Sequence, residues 1–161
     1  MVRTGVGVDS HAFAAGRPLI LGGVEIPHDA GLAGHSDADA LTHAIADALL
    51  GAAGLGDIGG LFPDTDPQYA GADSLVLLRT VVAQLVRNGY TIGNVDATGM
   101  MERPKLAPFR EQMEGVLAAA LGVDADDVNV KATTGEGMGF VGRGEGVAAL
   151  AVATITRPSE S

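Results

Sequence analysis

The sequence predicts an α+β fold of two layers, in which a mixed sheet of four or five strands carries helices on one face. Three observations predict it. Three segments repeat apolar residues at helical spacing, up to five others read as extended runs, and their order along the chain is that of an α+β protein. No segment reads as a linker. Residues 1–157 are therefore expected to form one domain, with a loose tail at 158–161.

Residues 2–12 read as a first strand, and residues 19–27, with two central glycines, as a bent strand or hairpin. A helix is expected from about Ser36. Ser36 and Asp39 have the spacing of a capping box, and Ala38, Leu41, Ile45, Ala48, Leu49 and Ala52 follow a helical period. Residues 54–71 are rich in Gly, Pro and Asp. They read as an ordered, functional loop anchored by Leu55, Ile58, Leu61 and Phe62. A second helix spans 72–88, with Leu75, Leu78, Val82, Leu85 and Val86 on one face and Gly89 as its stop. Residues 90–102 form a strand ended by Pro104, 106–121 a third helix, and 127–134 an alternating strand. The last strand covers 144–157. Its run Val147–Ala153 is apolar on both faces, as expected for the centre of a sheet or a subunit contact.

Composition narrows the chemistry. A formal net charge of −10 disfavours nucleic acid and anionic membranes as partners. An anionic substrate would need local help from metal ions, helix N-termini or a few basic groups. No cysteine is present, so a metal must be held by nitrogen and oxygen. The first residues lack the apolar core of a secretion signal, and the longest apolar run is far too short to span a bilayer. The expectation is a cytoplasmic protein.

Five segments can carry chemistry. Asp9 and His11 stand two apart in a strand and so point to the same side as pre-aligned ligands. His35, Ser36, Asp37 and Asp39 surround a helix start, with His43 further along and Asp47 four residues beyond it. Two histidines and one carboxylate make a catalytic zinc site with an open fourth position. Asp9 is the favoured carboxylate. Asp39 or Asp47 would then orient a ligand from behind. The loop containing Asp57, Ile58, Gly59, Phe62, Pro63, Asp64, Thr65 and Asp66 offers close backbone approach and carboxylates for hydroxyls or metal-bound water. Thr133, Thr134 and Gly135 end a strand in groups suited to phosphate oxygens. Glu136 can hold Mg²⁺ there, and Arg143 can bind a phosphate or pair with Glu145. Arg103 and Lys105 flank a proline just before a helix.

Taken together, these segments resemble the 2-C-methyl-D-erythritol 2,4-cyclodiphosphate synthase family of the non-mevalonate isoprenoid pathway. The matching stretches are GVGVDSHAF at 5–13, the run 35–67 that opens HSDADALTHA and closes LFPDTDP, GADS at 71–74, PK at 104–105, DDVNVKATT at 126–134 and GFVGRGEG at 139–146. The resemblance implies a homotrimer with active sites between subunits. It implies one Zn²⁺ per subunit on Asp9, His11 and His43, and Mg²⁺ or Mn²⁺ on Glu136 with the substrate diphosphate. His35 and Thr134 would stabilise the transition state, and Ser36 would fix the substrate. Asp57, Ile58, Gly59 and the 62–66 loop would meet the erythritol and its phosphates. Met101, Glu102, Arg103, Pro104, Lys105, Leu106 and Ala107 of a neighbouring subunit would hold the cytosine and ribose, with Thr133 and Gly135 adding substrate contacts. Phe140 and Arg143 would face a central cavity able to lodge an isoprenoid diphosphate. Ser10, Arg103, Gly135 and Gly137 stand where Val, Ala, Thr and Lys are familiar. Two other readings fit part of this pattern: a zinc phosphoesterase using bound water, and a non-catalytic sensor of metal and isoprenoid diphosphate.

Overall fold

The computed structural model describes residues 1–158, so all but the first residue of the expected tail lies outside the described residues. Strand β1 (Val2–Ala14) is followed by three short strands, β2 (Leu19–Leu21), β3 (Val24–Ile26) and β4 (Gly31–Leu32). Then come α1 (Ala40–Ala53), α2 (Ile58–Leu61), α3 (Ser74–Arg87), β5 (Thr91–Met100), α4 (Arg110–Leu121), β6 (Val128–Thr133), α5 (Gly139–Gly142) and β7 (Gly146–Thr156). The main sheet has five strands in the order β4-β1-β7-β5-β6. It is mixed: β5 and β6 run parallel, and the other neighbours run antiparallel. The two-sided apolar final strand is central, between β1 and β5.

The 19–27 run is a hairpin, as one of its two readings had it, but it does not join the main sheet. Gly22 and Gly23 both take positive φ in its turn, which breaks the run into two strands paired only with each other. The fifth strand of the main sheet is instead Gly31–Leu32, too short to show a period.

Sequence sets the depth at which α1 sits. In β1, alternate residues face the helices, and in GVGVDSH those positions are Gly5, Gly7, Asp9 and His11. A Cβ on Gly5 would lie 2.0 Å from the Ala48 carbonyl oxygen, and one on Gly7 1.9 Å from that of Ala44. Glycine therefore lets the α1 backbone rest directly on the strand. On β7, Ala149, Ala151 and Ala153 line the same side and are fully covered. Helix α1 descends along β1 from Ala44 over Gly7 to Ala48 over Gly5, which places His43, at the preceding position, beside Asp9. The other sheet face carries Val6 and Val8, each 61% exposed, and Leu150, 40% exposed.

The expected capping box is not formed. Asp39 itself caps α1, accepting from the Thr42 amide, and the helix starts at Ala40. The loop at 54–71 is ordered by short helical turns. Asp57 caps α2, and Asp66 caps a 3₁₀ turn at Pro67–Tyr69. Among the described residues, no helix is long and apolar enough to cross a membrane.

Candidate metal centre and cleft

Asp9, His11 and His43 each turn a ligand atom to one point, and these atoms lie within 4.8 Å of one another. Strand periodicity supplies the first two, and the close seat of α1 supplies the third. His11 Nε2 is 2.8 Å and His43 Nδ1 3.1 Å from Asp9 Oδ2. Asp39 and Asp47, the other two candidate carboxylates, point elsewhere. Asp39 is buried beneath the β2–β3 hairpin and accepts from the amides of Gly22, Gly23 and Thr42 and from the Thr42 hydroxyl. Burial raises its pKa, against the pull of those bonds. Asp47 accepts from the Ile58 amide at 2.8 Å, holding the start of α2. Neither orients a histidine.

The donor set asks for a cation. His11 Nδ1 lies 2.8 Å from the carbonyl oxygen of Ala33, which can only accept, so the proton of a neutral ring sits on Nδ1. That leaves the Nε2 lone pair facing inward, buried and 2.8 Å from Asp9 Oδ2, an acceptor that can give it no hydrogen. A buried lone pair beside a carboxylate and a second imidazole is costly unless a positive charge occupies the gap. Two imidazoles and one carboxylate, with no thiolate available, are the ligands of an open catalytic metal site.

Electrostatics in the metal-free state follow from the same contacts. Burial resists the charged form of Asp9, but the two imidazoles outweigh it and hold the carboxyl at about 2. Asp9 in turn raises the pKa of His11, against the effect of burial. The depressed Asp9 contributes stability above its unfolded value of 3.8, and loses it as pH falls towards 2. The raised His11 contributes below its unfolded value of 6.5 and loses it as pH rises through the folded value. Chelator-treated protein is therefore expected to melt higher near pH 5.5 than near pH 8.5. In thermal melts of His11→Gln that difference should shrink.

The triad opens into a cleft of about 400 Å³ that also contains His35, Ser36, Ile58, Gly59, Phe62 and Asp64. Three residues that no motif nominated, Gly34, Tyr69 and Leu77, complete its wall. Tyr69 meets Phe62 edge-on, with ring centres 5.3 Å apart. Exposed His35 lies with Nε2 3.0 Å from the Asp66 carbonyl oxygen. Arg17 also escaped notice: its guanidinium donates to the carbonyl oxygens of Gly34 and Ser36, on either side of His35. No local pattern announces it. Asp57, Pro63, Thr65 and Asp66 belong to the loop bordering this cleft, and the carboxylates of Asp57 and Asp66 are engaged as caps.

The remaining candidates lie elsewhere on the chain. Met101 and Leu106 are 3% and 4% exposed and pack in the core, so this segment offers the backbone at those positions. Glu102 Oε1 accepts from the amides of Gly135 and Gly137, tying the 101–107 segment to the loop after β6. In that loop Thr134 Oγ1 accepts from the Glu136 amide, and exposed Glu136 has φ +53°. Glu102, Arg103 and Arg143 share a second hollow of about 500 Å³. Phe140 is 43% exposed, and Arg143 pairs with Glu145 at 3.0 Å. Thr133, Pro104, Lys105, Ala107 and Gly135 line neither cavity.

Comparison with known proteins places this geometry. A bifunctional IspD/IspF enzyme from Anaeromyxobacter dehalogenans is 60% identical over 97% of the chain, and the chain spans 40% of that enzyme's length. A 2-C-methyl-D-erythritol 2,4-cyclodiphosphate synthase from Salinibacter ruber is 60% identical over 96% of the chain and 98% of its own length. A solved synthase of that name, in a CDP-bound form, superposes with a TM-score of 0.87 at 40% identity, covering 96% of this chain and 100% of that one. The family profile itself matches residues 2–156, and with nearly the whole chain accounted for, the protein belongs to the YgbB family.

Proposed function

We propose that the chain is a cytoplasmic cyclase. It converts 4-diphosphocytidyl-2-C-methyl-D-erythritol 2-phosphate to 2-C-methyl-D-erythritol 2,4-cyclodiphosphate with release of CMP, in the non-mevalonate route to isoprenoids. The observation that carries this reading is the convergence of Asp9, His11 and His43, with an unpartnered His11 nitrogen, at the mouth of a cleft. Support comes from the 60% identity to a protein named for that product.

In the reaction, an oxygen of the 2-phosphate forms a bond to the β-phosphorus, and the bond from that phosphorus to the CMP oxygen breaks. The nucleophile is already an anion, so no general base is required. Both partners belong to one molecule, and holding them in line supplies much of the rate enhancement. Zinc on Asp9, His11 and His43 supplies Lewis-acid polarisation of a phosphoryl oxygen when bound. Glu136 would hold Mg²⁺ or Mn²⁺, whose charge would offset that of the diphosphate. His35, held by its Nε2–H on the Asp66 carbonyl oxygen, and Thr134 stabilise the charge that develops on the phosphoryl oxygens. Ser36 and the 57–66 loop hold the erythritol phosphate, and the 101–107 segment with Thr133 and Gly135 holds the nucleotide.

Among the described residues the cleft is lined by none of the 101–107 or 133–136 segments, and the outer sheet face exposes an apolar patch at Val6, Val8 and Leu150. Both features support a homotrimer whose sites form between subunits. Phe140 and Arg143 would then flank a central cavity suited to an isoprenoid diphosphate.

Phosphorus NMR of the zinc-loaded protein with substrate and Mg²⁺ tests the assignment. CMP together with two coupled cyclic-diphosphate signals is expected. CMP with a linear product would make the protein a hydrolase, and absence of turnover would make it a binding protein.

A further inference from the structure

We propose that Asp37 and Ser74 are positioning residues that decide which nitrogen of His43 faces the metal, and through it the affinity of the centre. The inference rests on the reading of Asp9, His11 and His43 as metal ligands.

The argument is one of hydrogen ownership. Asp37 receives both donors of Ser74: its Oδ2 accepts from the Ser74 amide at 2.9 Å, and its Oδ1 from the Ser74 hydroxyl. Oδ1 also accepts from the Asp39 amide at 3.1 Å. A carboxylate only accepts, so the hydroxyl hydrogen is committed to Asp37. Ser74 Oγ is left with lone pairs alone, and it lies 2.8 Å from His43 Nε2. Nε2 must therefore carry the ring hydrogen. The other nitrogen, Nδ1, is the one 3.1 Å from Asp9 Oδ2, and it is the ring atom left to release its hydrogen and take a cation beside that carboxylate. Ser36 Oγ, 3.3 Å from Nε2, has an uncommitted hydrogen and fits either tautomer, so it does not decide.

The two histidines are thus set by different means. His11 is fixed by a backbone carbonyl, which no substitution removes. His43 is fixed by two side chains, one of them on a different helix, 31 residues away. Ser74 is 1% exposed, so water does not compete for the position. A ring turned this way presents Nδ1 to the cation and keeps its hydrogen on Nε2, where Ser74 accepts it. A ring flipped the other way would turn that N–H towards the cation.

The test uses the whole protein and zinc as the probe. In zinc-loaded, ¹⁵N-labelled protein, long-range proton–nitrogen correlation should show His43 with its hydrogen on Nε2 and its metal on Nδ1. In Asp37→Asn the amide can donate to Ser74 Oγ and release the hydroxyl hydrogen towards Nε2. A mixed or reversed tautomer is then expected. Competition with a chromogenic chelator should show zinc bound about 10–100-fold more weakly by Ser74→Ala and by Asp37→Asn. Circular dichroism and the metal-free melting midpoint identify a variant that has merely unfolded. The wild-type tautomer needs no variant at all. An Nδ1–H ring in the wild type, or zinc affinity unchanged in both folded variants, overturns the inference. A wild type that takes up no zinc overturns the ligand reading and this inference with it.

Discussion

Gly7→Ala is expected to disable the protein without touching a ligand. The added methyl would lie 1.9 Å from the Ala44 carbonyl oxygen, 2.7 Å from the Ala48 amide nitrogen and 2.8 Å from the Ala44 carbonyl carbon. All three are helix backbone, so no side chain can swing aside to relieve the contact. Helix α1 must lift from β1, and its buried residues, Leu41, Ile45 and Leu49 among them, lift with it. Overpacking of this kind costs about 3 kcal/mol or more, a large share of a typical domain's stability. The displacement also carries His43 away from Asp9. Denaturant melts should show a lower midpoint, and the fraction that still folds should bind zinc poorly. Wild-type stability together with wild-type zinc content in Gly7→Ala would show that α1 does not rest on the strand as described.

His43→Ala is expected to have the largest effect on chemistry. It removes one of the three proposed ligands and leaves Asp9 with a single imidazole partner. Bound zinc should fall from one per chain to near zero by elemental analysis. Turnover should fall by roughly three powers of ten, the equivalent of the several kcal/mol that a Lewis acid supplies. The fold should persist, because α1 is held along its whole length by apolar residues that this substitution leaves in place. Full turnover by a zinc-free His43→Ala protein would remove the metal from the mechanism.

These two variants also mark what could be read from the sequence. The pairing of Asp9 with His11 is visible because strand geometry has a period of two, and His43 because it belongs to an acidic cluster around a helix start. Choosing Asp9 over Asp39 and Asp47 required only local geometry, and the observed convergence agrees. The role of Asp39 was not legible. Its partners, the amides of Gly22 and Gly23, belong to a hairpin whose docking on α1 is a tertiary event. Ser74 and Arg17 were missed for the same reason, since each acts on a residue brought near only by folding. The 54–71 segment read as loop because its helical turns are a single turn long, too short to display a period. The 101–107 and 133–136 segments stood out locally, as a basic pair before a helix and as hydroxyls and glycines at a strand end, but only the family resemblance joined them to the same site. Among the described residues, none of either segment lines the cleft, so the fold of one chain does not bring them to the Asp9, His11 and His43 cluster.

The place of β7 in the sheet governs when the protein can fold. It lies between β1 and β5, and it pairs Thr156 with Val2, positions separated by almost the entire chain. During synthesis β1 emerges first and has only the two-residue β4 to pair with until β7 appears. Helix α1 meanwhile has only part of the surface it must cover. The nascent chain therefore holds an open edge and an unseated apolar helix for most of its translation. High contact order of this sort slows folding and lengthens exposure to wrong partners. Assembly of the metal centre is late for the same reason, because the floor beneath α1 closes only when the final strand slots between its two neighbours.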